Sequence, residues 1–316
     1  MSARQPIAEL IASKETTEEK KQLFKRILEI RDYATQQLGL PDNGSYKSYV
    51  ELDSEYVVWN VVATPQYSLN PKTWCFPVAG CVAYRGYYAK KDAEKFATSL
   101  NEPGQKYDIA ISGASAYSTL GWFDDPVLSS MSDRGEILLA ETIFHELAHQ
   151  VLYLKKDSAF NEAFATAVGI AGVRQWLSEN PKKLDVYNDY LSRRLGFNQL
   201  IDEFSEQLKK TYSQELSDEQ KLSAKTSLFE NLQHKYQNKK REWDGFSGYD
   251  KWFAQDLNNA HLALISTYWK QVPVFDHWLE ACKYDLPDFY QAVQKLAHQK
   301  QQLSDVLDTI TPECES

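Results

Sequence analysis

The stretch Phe144-His145-Glu146-Leu147-Ala148-His149-Gln150, followed by Phe160-Asn161-Glu162-Ala163-Phe164, decides how this chain is read. Apolar residues Ile137, Ala140, Phe144 and Leu147 recur at helical spacing around the first segment, and Phe160, Phe164, Ala167 and Ala171 do so around the second, which predicts two consecutive helices over 136–177. The link between them falls at about 155–158, where Asp157 or Ser158 can cap the second helix. Two histidines four residues apart project from one side of a helix about one turn apart, so both imidazoles can reach a single zinc ion at roughly 2.0–2.1 Å. Glu146, beside the first histidine, then lies near the metal without ligating it, where it can accept a proton from a bound water. A catalytic zinc needs three protein ligands and an open position, and Glu162, thirteen residues after His149, is the candidate third ligand. The bland alternative makes His145 and His149 satisfied core histidines and the two glutamates ordinary surface acids. Against it, these are two of only six histidines, set among apolar residues where an unpaired polar cluster is costly.

Outward from this pair, a first helix is expected over 16–39, with Thr16 and Glu19 as a capping box and Leu23, Ile27, Ile30 and Ala34 on one apolar face. From 46 to 122 the signal changes to strand and turn, with β-rich runs at 56–62 and 107–111. Beyond 177 the chain reads as helical to about 312, with Ser217 and Gln220 as a second capping box and a charged stretch over 233–242 that is simplest as a solvated helix face. The expected organisation is a helical segment over 1–45, a lobe over 46–180 with a sheet and the two helices, and a helical lobe over 181–316.

A length of 316 residues allows a substantial core without metals or disulfides as staples, so a metal here is expected to serve chemistry. The composition, 43% apolar and 25% charged, is that of an ordered globular protein. A net charge of -9 and a pI near 5.3 leave no basic excess for phosphate backbones, so nucleic acid is not an expected partner. No run of about 18 apolar residues is present, and the opening Met1-Ser2-Ala3-Arg4-Gln5-Pro6 lacks the apolar core of an export signal, so the chain as it stands is expected neither to be exported nor to span a membrane. Cys75, Cys81, Cys282 and Cys314 form no C-x-x-C pairs, which argues against a thiolate zinc site. Pro77 and Gly80 could let Cys75 and Cys81 close a small disulfide loop in an oxidising compartment; two buried thiols remain the alternative.

The segment from His145 to Gln150, with Asn161-Glu162-Ala163-Phe164-Ala165, resembles the gluzincin peptidases, especially enzymes of the aminopeptidase N type, in which an Asn-Glu pair on the second helix supplies the third ligand. Those enzymes have a longer connection between the two helices. A closer resemblance, over most of the first 180 residues, is to the bacterial family described as putative or predicted aminopeptidases. It is carried by Leu40-Pro41-Asp42-Asn43-Gly44-Ser45-Tyr46 and by the stretches 56–63, 74–87 and 116–126.

The resemblance implies an α+β, zincin-like fold, a small mixed sheet with the zinc helix beneath it and a largely helical C-terminal lobe. It further implies a zinc-dependent peptidase acting on peptides or proteins in the periplasm or at the envelope. Membrane association would come only through a lipid anchor that this chain does not carry. Two departures stand out. Gly169 occupies a position where family members often carry an acid, and Glu141, one turn before His145, could substitute for it in orienting a histidine. No Gly-x-Met-Glu-Asn segment, which anchors the substrate amine in aminopeptidase N relatives, is present.

For the oxyanion, His261 and Tyr268 are the candidate donors, with Tyr249 behind them, by analogy with the Tyr or His that related enzymes supply from a C-terminal lobe. His261 reads equally well as a helix histidine bonded to a neighbour. The run 117–122 is a candidate edge strand for an extended peptide, or else an aromatic core loop. The competing functions are an envelope binding protein that keeps the fold without catalysis, and hydrolysis of a non-peptide amide. His234, His277 and His298 give no signal.

Overall fold

The computed structural model describes residues 4–76, 80–101, 106–116, 119, 122–155, 157–269, 271–299, 307, 310 and 313–314. It is a mixed α+β chain that separates into two compact units, one made of 1–57, 113–184 and 270–316, the other of 58–112 and 185–269. The units therefore do not follow linear cuts at 45 and 180, because the first unit gathers helices from the start, middle and end of the chain.

In chain order the elements are β1 (Gln5–Pro6), α1 (Ile7–Ala12), α2 (Glu18–Gln36) and β2 (Ser48–Val50). Next come β3 (Val58–Pro65), β4 (Trp74–Phe76), β5 (Gly80–Val82), β6 (Arg85–Tyr87), α3 (Lys90–Ser99) and β7 (Tyr107–Ala114). The chain continues through β8 (Val127–Leu128), α4 (Ser129–Ser132), α5 (Glu136–Val151) and α6 (Ser158–Trp176). It ends with α7 (Pro181–Tyr212), α8 (Asp218–Glu242), α9 (Asp250–Phe253), α10 (Asn259–Trp269), α11 (Val272–Ala281) and α12 (Leu286–Gln299).

In the first unit β2 pairs antiparallel with β1, Gln5 opposite Tyr49, and parallel with β8, Tyr49 opposite Val127, giving a short mixed sheet. Its core is helical. α2 buries Phe24, Ile27, Ile30 and Ala34, and α5 buries Leu139, Ile143, Phe144 and Leu147, each set recurring at helical spacing. α6 is buried nearly all round, from Phe160 to Val173, as expected of a helix with small and apolar residues on every face. Phe164 stacks on Phe289 at 5.8 Å between ring centroids and meets Phe275 edge-on at 6.0 Å, tying α6 to α11 and α12. Burying each such ring contributes about 1.5–3 kcal/mol.

In the second unit the strand order is β6-β3-β7, with β4 and β5 as a separate hairpin. The runs expected at 56–62 and 107–111 became β3 and β7. The helices α7 and α8 close over Phe197, Ile201, Phe204, Leu208, Leu232 and Tyr236.

Local differences from the sequence reading have physical causes. α2 is capped by Thr17, whose side chain accepts from the Lys20 amide, so Thr16 lies one residue outside and Glu19 has no reciprocal role. α3 interrupts the region expected to be strand and turn; it is short, buries only Ala93 fully and packs Phe96 against Trp74 and Tyr87. The box at Ser217 and Gln220 forms as expected, and Gly39 lies just beyond α2 with φ +66°. β4 and β5 set Cys75 opposite Cys81 in their ladder, and Cys75 is disulfide-bonded. A further disulfide joins Cys282 to Cys314, a pairing that the sequence reading did not consider.

Candidate metal centre

α5 and α6 form a helical hairpin. Glu162 lies against His149 and His145, while seven residues further along α6 a Cβ at Gly169 would meet Glu141, so contacts on α6 run forward as those on α5 run back. This is the antiparallel sense that a short link imposes. Asn161 fixes the link: its Oδ1 accepts from the Leu154 amide at 2.8 Å and its Nδ2 donates to the Leu154 carbonyl at 2.8 Å. Asp157 caps α6 by accepting from the Phe160 amide at 3.3 Å, as its position before the apolar run predicts. Asn161 thus turns the chain and hands Glu162, its neighbour, back to α5.

The ring nitrogens Nε2 of His145 and His149 stand 3.2 Å apart, Nε2 of His145 lies 3.4 Å from Glu162 Oε2, and Nε2 of His149 lies 3.7 Å from Glu162 Oε1. These three residues could hold a metal ion, their ligand atoms all lying within 4.8 Å of one another. Atoms each about 2.0–2.1 Å from a tetrahedral zinc stand about 3.3 Å apart, so the donor set and its spacing fit zinc before any ion arrives. His149 is buried, and its other nitrogen, Nδ1, has no hydrogen-bond partner among the described residues.

The electrostatics follow from burial and mutual charge. Burial pushes the His149 pKa down to about 4, helped by His145 and opposed by Glu162, so its ring is neutral at physiological pH. Burial also pulls on His145, but its bond to Glu162 and the charges of Glu146, Glu162 and Glu141 win, and its pKa rises. Burial raises Glu162, yet the bond to His145 together with the charges of His145 and His149 outweighs it and holds the carboxylate below its ordinary range. Glu146 is driven up to about 7, first by burial and then by the charges of Glu162 and Asp125, with His145 opposing. A carboxylate that takes a proton near neutral pH is suited to general-base work.

The rest of the first unit braces this hairpin. Gln150, one residue after His149, accepts from Asn43 at 2.6 Å and donates to Ser45 Oγ at 3.3 Å. Arg31, fully buried, donates to the Ser45 carbonyl at 2.9 Å and to the Pro41 carbonyl at 2.6 Å, so the 40–46 segment is an ordered loop on the α5 terminus. Asp125, also buried, accepts from the Thr119 amide at 2.8 Å, and its own amide donates to Ser45 Oγ at 3.3 Å.

The candidate oxyanion donors all belong to the second unit. His261 is in α10 of the second unit, with Nδ1 3.0 Å from Asn258 Oδ1 and its pKa lowered by burial. Tyr249, also in the second unit, is stacked on Phe197 at 4.1 Å between centroids. Tyr268 belongs to α10, and its side chain lies outside the described residues, as do Tyr117, Ser118, Leu120 and Gly121. The Trp122 amide donates to the Thr119 carbonyl at 3.1 Å, and Trp122 and Phe123 are strongly exposed. At Gly169, a Cβ would stand 3.0 Å from the Glu141 carbonyl oxygen and 3.5 Å from His145 Cβ. The sequence reading missed Thr166, whose hydroxyl lies 3.4 Å from His145 Nδ1, although its place one turn after Glu162 marks the same face of α6.

By fold and site this is a mixed α+β protein whose His-Glu-x-x-His helix and following helix bring together three residues that could hold a metal ion. The family model described as "Putative aminopeptidase" matches residues 1–306, and the chain belongs to that family. No curated protein and no solved structure matches the chain.

Proposed function

We propose that the protein is a zinc-dependent peptidase of zincin-like fold, with His145, His149 and Glu162 as the ligands and Glu146 as the general base. The observation that carries this reading is the convergence of two imidazole Nε2 atoms and one carboxylate within 3.2–3.7 Å of each other, next to a glutamate whose pKa is raised to about 7. Zinc, when bound, polarises the substrate carbonyl and acidifies its water toward a pKa of about 7.

The chain's own residues do the rest. Neutral His149 and ionised Glu162 offer lone pairs without first losing a proton, whereas His145, whose pKa is raised, holds its proton to higher pH. Glu146, held beside the ligands by the helix, takes a proton from the attacking water and passes it to the leaving amine. Asn161 holds Glu162 in place through Leu154, and Gln150 holds the end of α5 against the 40–46 loop.

Membership of the family supports peptidase chemistry at the level of its description, and removal of an N-terminal residue is the form of that chemistry the description names. The substrates on this reading are peptides or proteins. An oxidising site of action, the periplasm or envelope, is supported by the disulfides of Cys282–Cys314 and Cys75, since such bonds persist outside the reducing cytosol. Among the described residues no helix is long and apolar enough to cross a membrane.

The test is a peptide-library digest with the zinc-loaded protein and with Glu146→Gln. Cleavage by the parent and a fall of about 100-fold or more in the variant, with zinc retained, is the expected result. A parent that keeps zinc and cleaves no peptide would point to the silent binding protein, and turnover of other amides alone would point to non-peptide hydrolysis.

A further inference from the structure

A histidine that ligates a metal through one ring nitrogen carries a proton on the other, and the acceptor for that proton fixes the tautomer and aims the ring. The two histidines differ in this respect. His149 Nδ1 is buried without a partner among the described residues, whereas His145 Nδ1 lies 3.4 Å from Thr166 Oγ1. Thr166 follows Glu162 by one helical turn, so a single face of α6 meets both nitrogens of the His145 ring, Glu162 at Nε2 and Thr166 at Nδ1, each at 3.4 Å. Gly169 lies three residues further on and makes this reach possible. With no side chain there, α6 approaches α5 so closely that an added Cβ would stand 3.0 Å from the Glu141 carbonyl oxygen. At that separation a side chain as short as threonine spans the gap to an imidazole.

Resting on the zinc reading above, we propose that Thr166 is a positioning residue: its hydroxyl accepts the Nδ1–H of His145 and thereby presents the Nε2 lone pair to the metal. The close crossing at Gly169 lets a neutral hydroxyl perform a task for which a longer acidic side chain would otherwise be needed.

The experiment is zinc affinity by competition with a chromophoric chelator, for the parent, Thr166→Val and Thr166→Ser. Valine keeps the shape and removes the acceptor; serine keeps the acceptor. The expected result is an affinity about 10-fold or more weaker for Thr166→Val, with Thr166→Ser close to the parent. The same affinity in Thr166→Val as in the parent overturns the assignment while leaving the zinc site standing; a parent that takes up no zinc overturns both. If Thr166→Val does not fold, the imidazole 15N spectrum of the zinc-loaded parent decides. A protonated, hydrogen-bonded Nδ1 on His145 supports the assignment, and a protonated Nε2 contradicts it.

Discussion

Two buried polar clusters in this chain, one in each compact unit, are built on opposite logic. In the second unit Lys225 is bonded to Asp108 and donates to the Gln66 carbonyl at 3.1 Å, while Asp108 also receives the Asn259 amide at 2.9 Å. The Asn259 side chain donates to the Gln66 and Ser68 carbonyls at 3.0 and 3.1 Å and accepts from Tyr212 at 2.9 Å. Each donor there meets an acceptor of opposite character. In the first unit two imidazole nitrogens and a carboxylate crowd toward one point, and His149 Nδ1 is buried with no partner among the described residues. A closed network of this kind stabilises a fold, whereas an open one leaves a buried polar group that a bound ligand could complete.

The contrast can be broken by removing one member from each cluster. Lys225→Met strands Asp108 in a buried setting and is expected to cost about 3–5 kcal/mol in unfolding free energy, read by denaturant titration, with no change in zinc affinity. His149→Leu in the metal-free protein is expected to change stability by less than about 1 kcal/mol, because it removes a ring whose Nδ1 is unbonded. Equal losses for the two substitutions would erase the distinction.

Acidity sharpens the same comparison. His145 has a raised pKa, so at acid pH zinc must displace a proton from it, and zinc affinity is expected to fall as pH drops, by up to about tenfold per pH unit. In the metal-free protein Glu146, with its pKa raised to about 7 from an ordinary 4.5, favours folding while it is neutral. That contribution is present at acid pH and is lost as pH rises from 4.5 through 7. Comparing pH-dependent melting of the parent and Glu146→Gln isolates it, since the glutamine variant should lack that downward slope.

Gly169→Ala probes the crossing of α5 and α6 itself. Its Cβ meets a backbone carbonyl that cannot move without parting the helices, so a loss of about 1 kcal/mol is expected even after the gain in helix propensity, seen as a lower melting temperature.

The helical hairpin was legible in the sequence because its signals are local: apolar spacing on α5 and α6, Asp157 as a cap, and two histidines one turn apart. The place of Glu162 beside the two histidines was legible through the short link, although the device that turns the chain, the paired Asn161–Leu154 bonds, was not. Thr166 escaped notice because a threonine among alanines carries no chemical signal until the neighbouring helix places His145 beside it. The grouping of the chain into two units was equally hidden, since the contacts of α2 with α5 and of α11 with α6 join residues far apart in sequence. For α3 the local signal was short, ten residues with Ala93 and Phe96 as its inward contacts, and it lay between β-rich runs that set the reading of the region.

The most direct test of the central claim is the zinc content of the purified protein after reconstitution, measured by elemental analysis on the parent and on Glu162→Ala. The account predicts close to one zinc per chain in the parent and little in the variant. A parent without zinc, or a variant that holds it as tightly, would contradict the three-ligand site.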